Sequence, residues 1–554
     1  MLKTDVAIIG GGPAGTTVGT LLKKYNPGLD VLILEREKFP RDHVGESHLP
    51  AISRILDEMG VWDKVEAAGF PIKIGANFKW GNKDEIWRND FVPEEIWVDE
   101  PRPAKFTGQR KDTAFQVDRS IYDKVLLDHA ASVGCRVMEE TAVRTVEKDG
   151  DRVTGFAISS ASGEDQVEAR YYVDASGDVG LLRRAMGVEI DAPTALRNIA
   201  IWKYYQDAEW AVTIGKGATR IQIMSLGWGW IWFIPITETR TSVGLVLPAD
   251  YFKSSGLSTE AIFEKAIKEE PLVAKLLSNA TAEPEINATK DWNFVSQRLT
   301  GDNWLLAGDC CGFADPILSA GMTLAHTSGR KVAYTILELE KGELDPQWVK
   351  EQYDDGHRKQ IRHHMQFADF WYTSNGHFTD LRDYCIEIAE TAGVSLDRET
   401  AFRWLASGGF TVEEPGLATA LTYRIVGLKG LTAELGGYQP EWEMTKTNRW
   451  KLNIDGAIED VFASYRDGRV KKVPCWRKGN KILPLVDSFI HIINALQRTT
   501  DGPTAVVTAV NGIVHHDRLL PKDAGGLVVE GIEALILEGW IDGDVNPDRP
   551  MVKV

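Results

Sequence analysis

The chain has 554 residues, 43% hydrophobic and 26% charged, an ordinary composition for a soluble globular enzyme that argues against disorder as its main theme. The formal net charge of -17, with a pI near 5.3, is repulsive to nucleic acid and to anionic membrane, so neither is an expected partner. The length calls for two or three domains.

The first segment, Asp5–Ile9, reads as a short buried strand, followed by Gly10-Gly11-Gly12-Pro13-Ala14-Gly15. Thr16–Lys24 then reads as a helix, and Val31–Leu34 as a second strand ending at Glu35 and Arg36. A GxGxxG loop between strand and helix, with an acid about 20 residues on, is the dinucleotide fingerprint. Gly10 permits the tight turn, Gly12 lets the backbone approach a pyrophosphate, and Gly15 lets the helix pack on the strand. Pro13 and Ala14 open a helix whose free amides and dipole favour phosphate. Glu35 can accept from ribose hydroxyls. No signal peptide is expected, because the apolar start carries Asp5 and runs into the glycine loop. No apolar run reaches the roughly 18–20 residues that span a bilayer. Five scattered cysteines (Cys135, Cys310, Cys311, Cys385, Cys475) suit a reducing cytoplasm and form neither a disulfide framework nor a zinc pattern.

Further along come Gly45-Glu46-Ser47-His48-Leu49-Pro50, Val117-Asp118-Arg119, Val173-Asp174-Ala175-Ser176-Gly177 and Leu306-Ala307-Gly308-Asp309. In this order they resemble the hydroxylase-type FAD fold. That resemblance puts Glu46, Ser47, Arg119 and Asp309 beside the cofactor. The expected class is α/β: a Rossmann-like FAD-binding core (1–75, 105–197 and 290–345), a second mixed sheet on the substrate side (76–104 and 198–289), and a mostly helical extension (346–554) with a small α+β module near 440–554.

Two more motifs narrow the chemistry. Trp230-Ile231-Trp232-Phe233-Ile234-Pro235 reads WxWxIP, and Phe313-Ala314-Asp315-Pro316-Ile317-Leu318-Ser319-Ala320-Gly321 reads FxxPxxSxG. Both together resemble the flavin-dependent halogenases, most closely the branch acting on phenolic or pyrrolic substrates, over roughly residues 1–375. The resemblance implies FAD used as FADH2, O2 and a halide ion. A flavin C4a-hydroperoxide would oxidise halide to hypohalous acid, and the organic substrate would be kept from the flavin. Trp230, Trp232 and Pro235 suit that barrier. Pro316 and Gly321 would line the flavin, and the backbone at Ser319, Ala320 and Gly321 would bind the halide, small residues letting amides converge on an anion. Plain N-capping by Ser319 is compatible with this.

The same family delivers the oxidant through a lysine, and Gly69-Phe70-Pro71-Ile72-Lys73-Ile74-Gly75 matches its segment, which makes Lys73 the catalytic candidate. Residues 71–80 alternate as a strand, with Ile72, Ile74, Ala76, Phe78 and Trp80 on one face and Lys73, Gly75, Asn77 and Lys79 on the other. Hydrogen bonding to the acid and haloamine formation both remain open for such a lysine. Halogenases of free tryptophan carry glutamate before the motif serine. Here that position is Leu318, which argues against free tryptophan as substrate.

Asn198–Tyr205, Arg220–Leu226 and Thr241–Leu247 read as strands, Ser258–Ser278 as helices, and Asp345–Asn375 as a long helix. Its histidines, His357, His363 and His364, are expected to be solvated, and no metal site is expected. Residues 376–435 look helical, 440–485 like short strands, and 486–541 like helices joined by a short loop. This last third suits a roof, a docking surface or a homo-oligomer contact. Without a second dinucleotide fingerprint, FADH2 should come from a separate flavin reductase. The small aromatic substrate is free or bound to a carrier protein. The competing readings are an aromatic monooxygenase of the same fold, and a flavoprotein whose C-terminal third docks protein.

Overall fold

The computed structural model describes residues 1–80, 86–194, 196–290, 292–373, 442–479 and 481–553. The helical reading of 376–435 lies outside the described residues. The chain forms two compact units, Met1–His377 with Tyr465–Val470, and Phe378–Ser464 with Lys471–Val554. The first therefore extends beyond residue 345, where the sequence suggested a break.

In the first unit Leu2–Ile9 pairs in parallel with Val31–Leu34 and with Gly163–Asp174, and Trp304–Leu306 runs parallel to the latter. Val6, Ala7, Ile8 and Val31–Ile33 are fully buried, as expected where a parallel sheet is covered on both faces. The parallel strands end at Ile9, Leu34, Asp174 and Leu306, so the glycine loop, Glu35, Gly177 and Gly308–Asp309 emerge at one edge. That edge is where ligands bind in such sheets.

The helix Pro13–Tyr25 starts with proline in its first turn, where the missing N–H costs nothing. Gly10 has φ +101°, and a Cβ there would meet Ala175 O at 2.2 Å. The long helix Ala320–Lys341 crosses this one at Gly329, where a Cβ would stand 2.6 Å from Ala14 O. His326 ties the same elements together, its ring nitrogens 2.9 Å from Thr17 Oγ1 and 2.8 Å from Tyr122 Oη.

The second sheet orders its strands as Thr281–Lys290, Asn198–Gln206, Arg240–Pro248, Trp230–Pro235, Ala218–Ser225, Ile72–Lys79 and Trp87–Asp90. Only the pairing of Ala218–Ser225 with Ile72–Lys79 is parallel in that path, so the sheet is mixed. Ile231, Phe233, Val243 and Leu245 pack against Ile262, Phe263 and Val273 of the helices Thr259–Glu269 and Pro271–Leu276. Trp230 and Trp232 point the other way by alternation.

The lysine strand departs from simple alternation. Thr219 pairs with Lys73 but Arg220 pairs with Gly75, so Ile74 is an extra residue. Such a bulge re-aims the side chains on either side of it. Ile72 and Ile74 pack with Ile214 and Ala218, while Lys79 pairs with Glu270. Lys73 leaves that side and reaches Ser47 and Ser319. It therefore shares a face with Ala76, Phe78 and Trp80, not with Asn77 and Lys79 as strict alternation implied. It is also 1% exposed.

The helix Pro346–Thr373 carries its histidines inward, against expectation. His357 is fully buried and stacks on Tyr353 at 5.9 Å, and His364 is buried too. Among the described residues no His, Cys, Asp or Glu group could hold a metal, and no helix is long and apolar enough to cross a membrane.

In the second unit the helices Asp487–Arg498, Gly502–Asp517 and Pro521–Leu537 enclose a core of Trp450, Ile492, Ala509, Ile532 and Trp540. The strand Arg449–Leu452 pairs with Ile541–Asp544 beside them.

Gly329→Ala should lower stability by about 1–3 kcal/mol, the usual cost of overpacking, because Ala14 O is backbone and cannot swing away. Urea unfolding with an unchanged midpoint would show that the helices do not meet as described.

Candidate active site

The glycine loop separates its roles in space. A Cβ on Gly15 would stand 2.0 Å from Gly10 O, whereas one on Gly12 would meet only Arg41 Nη2, at 3.8 Å. Gly12 thus faces the open side, beside the first amides of the helix that Pro13 and Ala14 begin. Glu35 is buried, and its carboxylate accepts from the backbone N–H of Gly11 at 2.7 Å and of Glu37 at 2.9 Å. It braces the loop from beneath. Arg36 is exposed, pairs with Glu37 at 3.2 Å, and stands outside this buried cradle.

Arg119 lays two nitrogens on Asp123, at 2.7 and 2.8 Å, and gives a third to Val44 O at 2.8 Å. It pins the loop leading to Glu46. Glu46 is buried against Tyr204 and Ser242, and burial pushes its carboxyl up to about 7. Loss of solvation raises Asp309 to about 6, with Arg119 pulling the other way. The segment Glu46–His48 runs beside Phe115–Val117, His48 N donating to Phe115 O and Val117 N to Glu46 O.

Several buried polar atoms here have no partner among the described residues: Glu46 Oε1, both ring nitrogens of His48, the amide of Gln116 and the hydroxyl of Thr323. Buried polar groups are nearly always paired. Donors and acceptors together, beside a glycine loop open at Gly12, fit FAD, whose phosphates suit the helix start and whose ring edge both donates and accepts.

Lys73 Nζ donates to Ser47 Oγ at 2.8 Å and to His48 O at 3.0 Å, and lies 3.5 Å from Ser319 Oγ. Ser319 in turn donates to Ser47 at 3.2 Å. The lysine segment, the Gly45–Pro50 segment and the second halogenase motif thus meet at one point. No carboxylate touches the ammonium, and burial alone brings Lys73 down to about 7. Ser319 is left-handed, with φ 57° and ψ 33°, between the turn Pro316–Leu318 and the helix Ala320–Lys341, and its side chain does not cap that helix. A right-handed residue followed by a left-handed one turns successive amides toward one point. At Gly321 a Cβ would come within 2.5 Å of the Phe313 ring.

Trp230 and Trp232 are buried, with ring centroids 6.0 Å apart. Trp232 donates to Ser242 Oγ at 3.1 Å and lies over Gly244, where a Cβ would fall 2.0 Å from its ring. Pro235 closes the same strand. Trp80 meets Trp230 edge-on at 6.3 Å.

Sequence reasoning missed four contributors. Arg41 borders Gly12 and pairs with Asp123 at 3.6 Å. Tyr204 and Ser242 back Glu46, and Tyr372 touches Trp230. None lies in a motif.

These features define an FAD-binding α/β flavoprotein. Residues 3–368 match the family model described as FAD binding domain. The tryptophan 2-halogenase of Chondromyces crocatus is 33% identical over 473 residues, covering 83% of this chain and 82% of that one. The 1H-pyrrole-2-carbonyl-[peptidyl-carrier protein] chlorinase of Pseudomonas fluorescens is 32% identical over 393 residues, covering 68% and 85%. Among solved structures, the myxobacterial chondrochloren halogenase CndH is 30% identical with TM-score 0.62, covering 73% of this chain and 92% of that one. The halogenase CmlS shares the fold, with TM-score 0.73 at 24% identity, covering 100% and 98%. The chain belongs to the flavin-dependent halogenases, FAD-using oxidoreductases.

Gly12→Ala should fold normally yet weaken FAD binding at least about tenfold, ~1.4 kcal/mol, because its Cβ intrudes only on the ligand side. Gly10→Ala should instead fail to fold. Flavin fluorescence titration beside thermal melting separates the two, and a Gly12→Ala protein with full affinity would remove the loop from the phosphate site.

Proposed function

We propose that this halogenase delivers hypohalous acid through Lys73 to an electron-rich aromatic of phenol, pyrrole or indole type, free or carrier-bound. The observation that carries this is the buried Lys73 ammonium held between Ser47 and the motif serine Ser319. Reduced FAD and O2, when bound, supply the oxidising equivalent that converts halide to hypohalous acid.

The chain's own residues divide the remaining work. The Ser319–Gly321 segment holds the halide: the Ser319 N–H is given to Pro316 O at 2.9 Å, so the left-handed Ser319 sets the turn and the amides of Ala320 and Gly321 face the anion, with the dipole of the helix that follows. Trp230, Trp232 and Pro235 keep the organic substrate from the flavin, so the small oxidant leaves while the substrate waits. Two oxygens hold Lys73 Nζ closely, Ser47 Oγ at 2.8 Å and His48 O at 3.0 Å, while Ser319 Oγ stands at 3.5 Å, so one N–H of the ammonium is free to turn to the acid. We therefore favour Lys73 as a hydrogen-bond donor that orients the acid and polarises its halogen.

The substrate class draws support from the relatives. One is named for a pyrrolyl group on a peptidyl carrier protein and another for tryptophan. The latter keeps indoles in the class despite Leu318. A separate flavin reductase would supply FADH2. The free thiols Cys135, Cys310, Cys311 and Cys475 favour a cytoplasmic setting.

With FADH2, O2 and a panel of phenols, pyrroles and indoles, each with chloride, bromide or iodide, product mass should show halogen for hydrogen. Hydroxylated products alone would overturn the proposal. Lys73→Met should keep flavin oxidation and lose halogenation by about 100-fold or more, the scale of a positioned acid. Lys73 sheds its proton as pH passes about 7, so halogenation should decline on the alkaline side. A rise through that range would replace the donor role with attack by the neutral amine.

A further inference from the structure

The two halogenase motifs are joined by a side chain that belongs to neither. Tyr372, on the helix Pro346–Thr373, accepts from Trp230 Nε1 at 2.6 Å and donates to Asp315 Oδ1 at 2.9 Å. All three side chains are buried. The polarity of this chain is fixed, because an indole N–H only donates. The phenol oxygen must accept from it and pass its single proton to the carboxylate. Asp315 also accepts from Ile317 N at 3.1 Å, Asn198 Nδ2 at 3.1 Å and Trp292 Nε1 at 3.4 Å. Its bond to Ile317 caps the turn Pro316–Leu318, which presents Ser319 in its left-handed conformation.

We propose that Tyr372 and Asp315 are positioning residues that couple the Trp230 barrier to the Ser319 halide loop. Trp230 cannot swing without releasing the phenol, and the phenol cannot move without loosening the turn that sets Ser319. Donors converge on both carboxylate oxygens, so the bracket is complete only with Asp315 ionised. It holds the loop in a strained left-handed turn that a non-glycine residue rarely adopts. This inference rests on the reading of Ser319–Gly321 as the halide loop.

The test is a double-mutant cycle on the full chain with Trp230→Phe and Tyr372→Phe, which keep an aromatic ring at each position and remove the linking bonds. Tyr372→Phe should raise the halide KM about 3- to 10-fold, the equivalent of one buried hydrogen bond. It should also lower halogenated product per flavin oxidised, while FAD affinity stays unchanged. The double variant should be little worse than either single one, since both break the same chain. A purely additive cycle, or a loss of FAD affinity alongside kcat with no change in halide KM, would overturn the coupling. A second readout needs no turnover: bromide at constant ionic strength should raise the Tm of the flavin-free wild type, and Tyr372→Phe should need about 3- to 10-fold more bromide for the same rise. Absence of the bromide effect in the wild type would sink the halide-loop reading itself. An unchanged bromide dependence in Tyr372→Phe would sink only the bracket.

Discussion

One extra residue in a strand decides which way Lys73 points. If Ile72–Lys79 alternated without interruption, Lys73 would fall with Lys79, on the side where Lys79 meets Glu270. The bulge at Ile74 turns Lys73 to the side of Trp80 and the tryptophan strand. A lysine placed there loses its hydration and, among the described residues, meets two hydroxyls, a peptide oxygen and the Phe91 ring but no carboxylate. Burying an ammonium without a counter-ion costs stability. A fold that tolerates this beside the Glu46–His48 segment, where burial also raises the Glu46 carboxyl toward neutrality, has the pattern of perturbed groups typical of functional sites.

The Rossmann unit was legible in the sequence because its signals are local. Gly10–Gly15, the apolar run of the first strand and Glu35 sit within one βαβ segment, and each follows from backbone geometry. The strands Asn198–Gln206 and Arg240–Pro248 were legible from alternation. The orientation of Lys73 was not, because a bulge is a register property of two strands and leaves no mark in the composition of one. The buried histidines of Pro346–Thr373 were misjudged for a related reason. The helix carries enough charge to look solvated, yet Ile361, Met365 and Ala368 line a face that packs inward and takes His357 and His364 with it. Tyr372 was invisible because its partners, Trp230 and Asp315, are 142 and 57 residues away in the chain.

The tryptophan strand shows how one sequence motif serves two neighbours. Ile231 and Phe233 enter the helix-covered core, which anchors the strand by apolar burial. Trp230 and Trp232 face the other way, and each indole N–H has a partner, Tyr372 for one and Ser242 for the other. An indole buried without a partner would be destabilising and free to reorient; with one, its ring plane is specified. Ser242 also backs Glu46, so Trp232 is held through a neighbour of Glu46, and Trp230 through Tyr372, which in turn bonds the Asp315 that caps the turn Pro316–Leu318.

A barrier against the organic substrate is only useful if the oxidant has somewhere else to go. Hypohalous acid is small, and hydrogen-bond donors can guide it where steric exclusion alone would merely trap it. On the reading proposed for this site, such donors follow one another from the amides of Ala320 and Gly321 to Lys73 Nζ through the hydroxyls of Ser319 and Ser47. The hydroxyls matter because they can both donate and accept, so the chain Ser319–Ser47–Lys73 can reorient its protons without moving heavy atoms. A carboxylate in their place would bind the ammonium more tightly, but it would offer no donor of its own and would repel the anion. The lack of a carboxylate beside Lys73 among the described residues makes its burial costly, and it is the same feature that the proposed path needs, since a carboxylate there would repel a halide and offer no donor to a neutral acid.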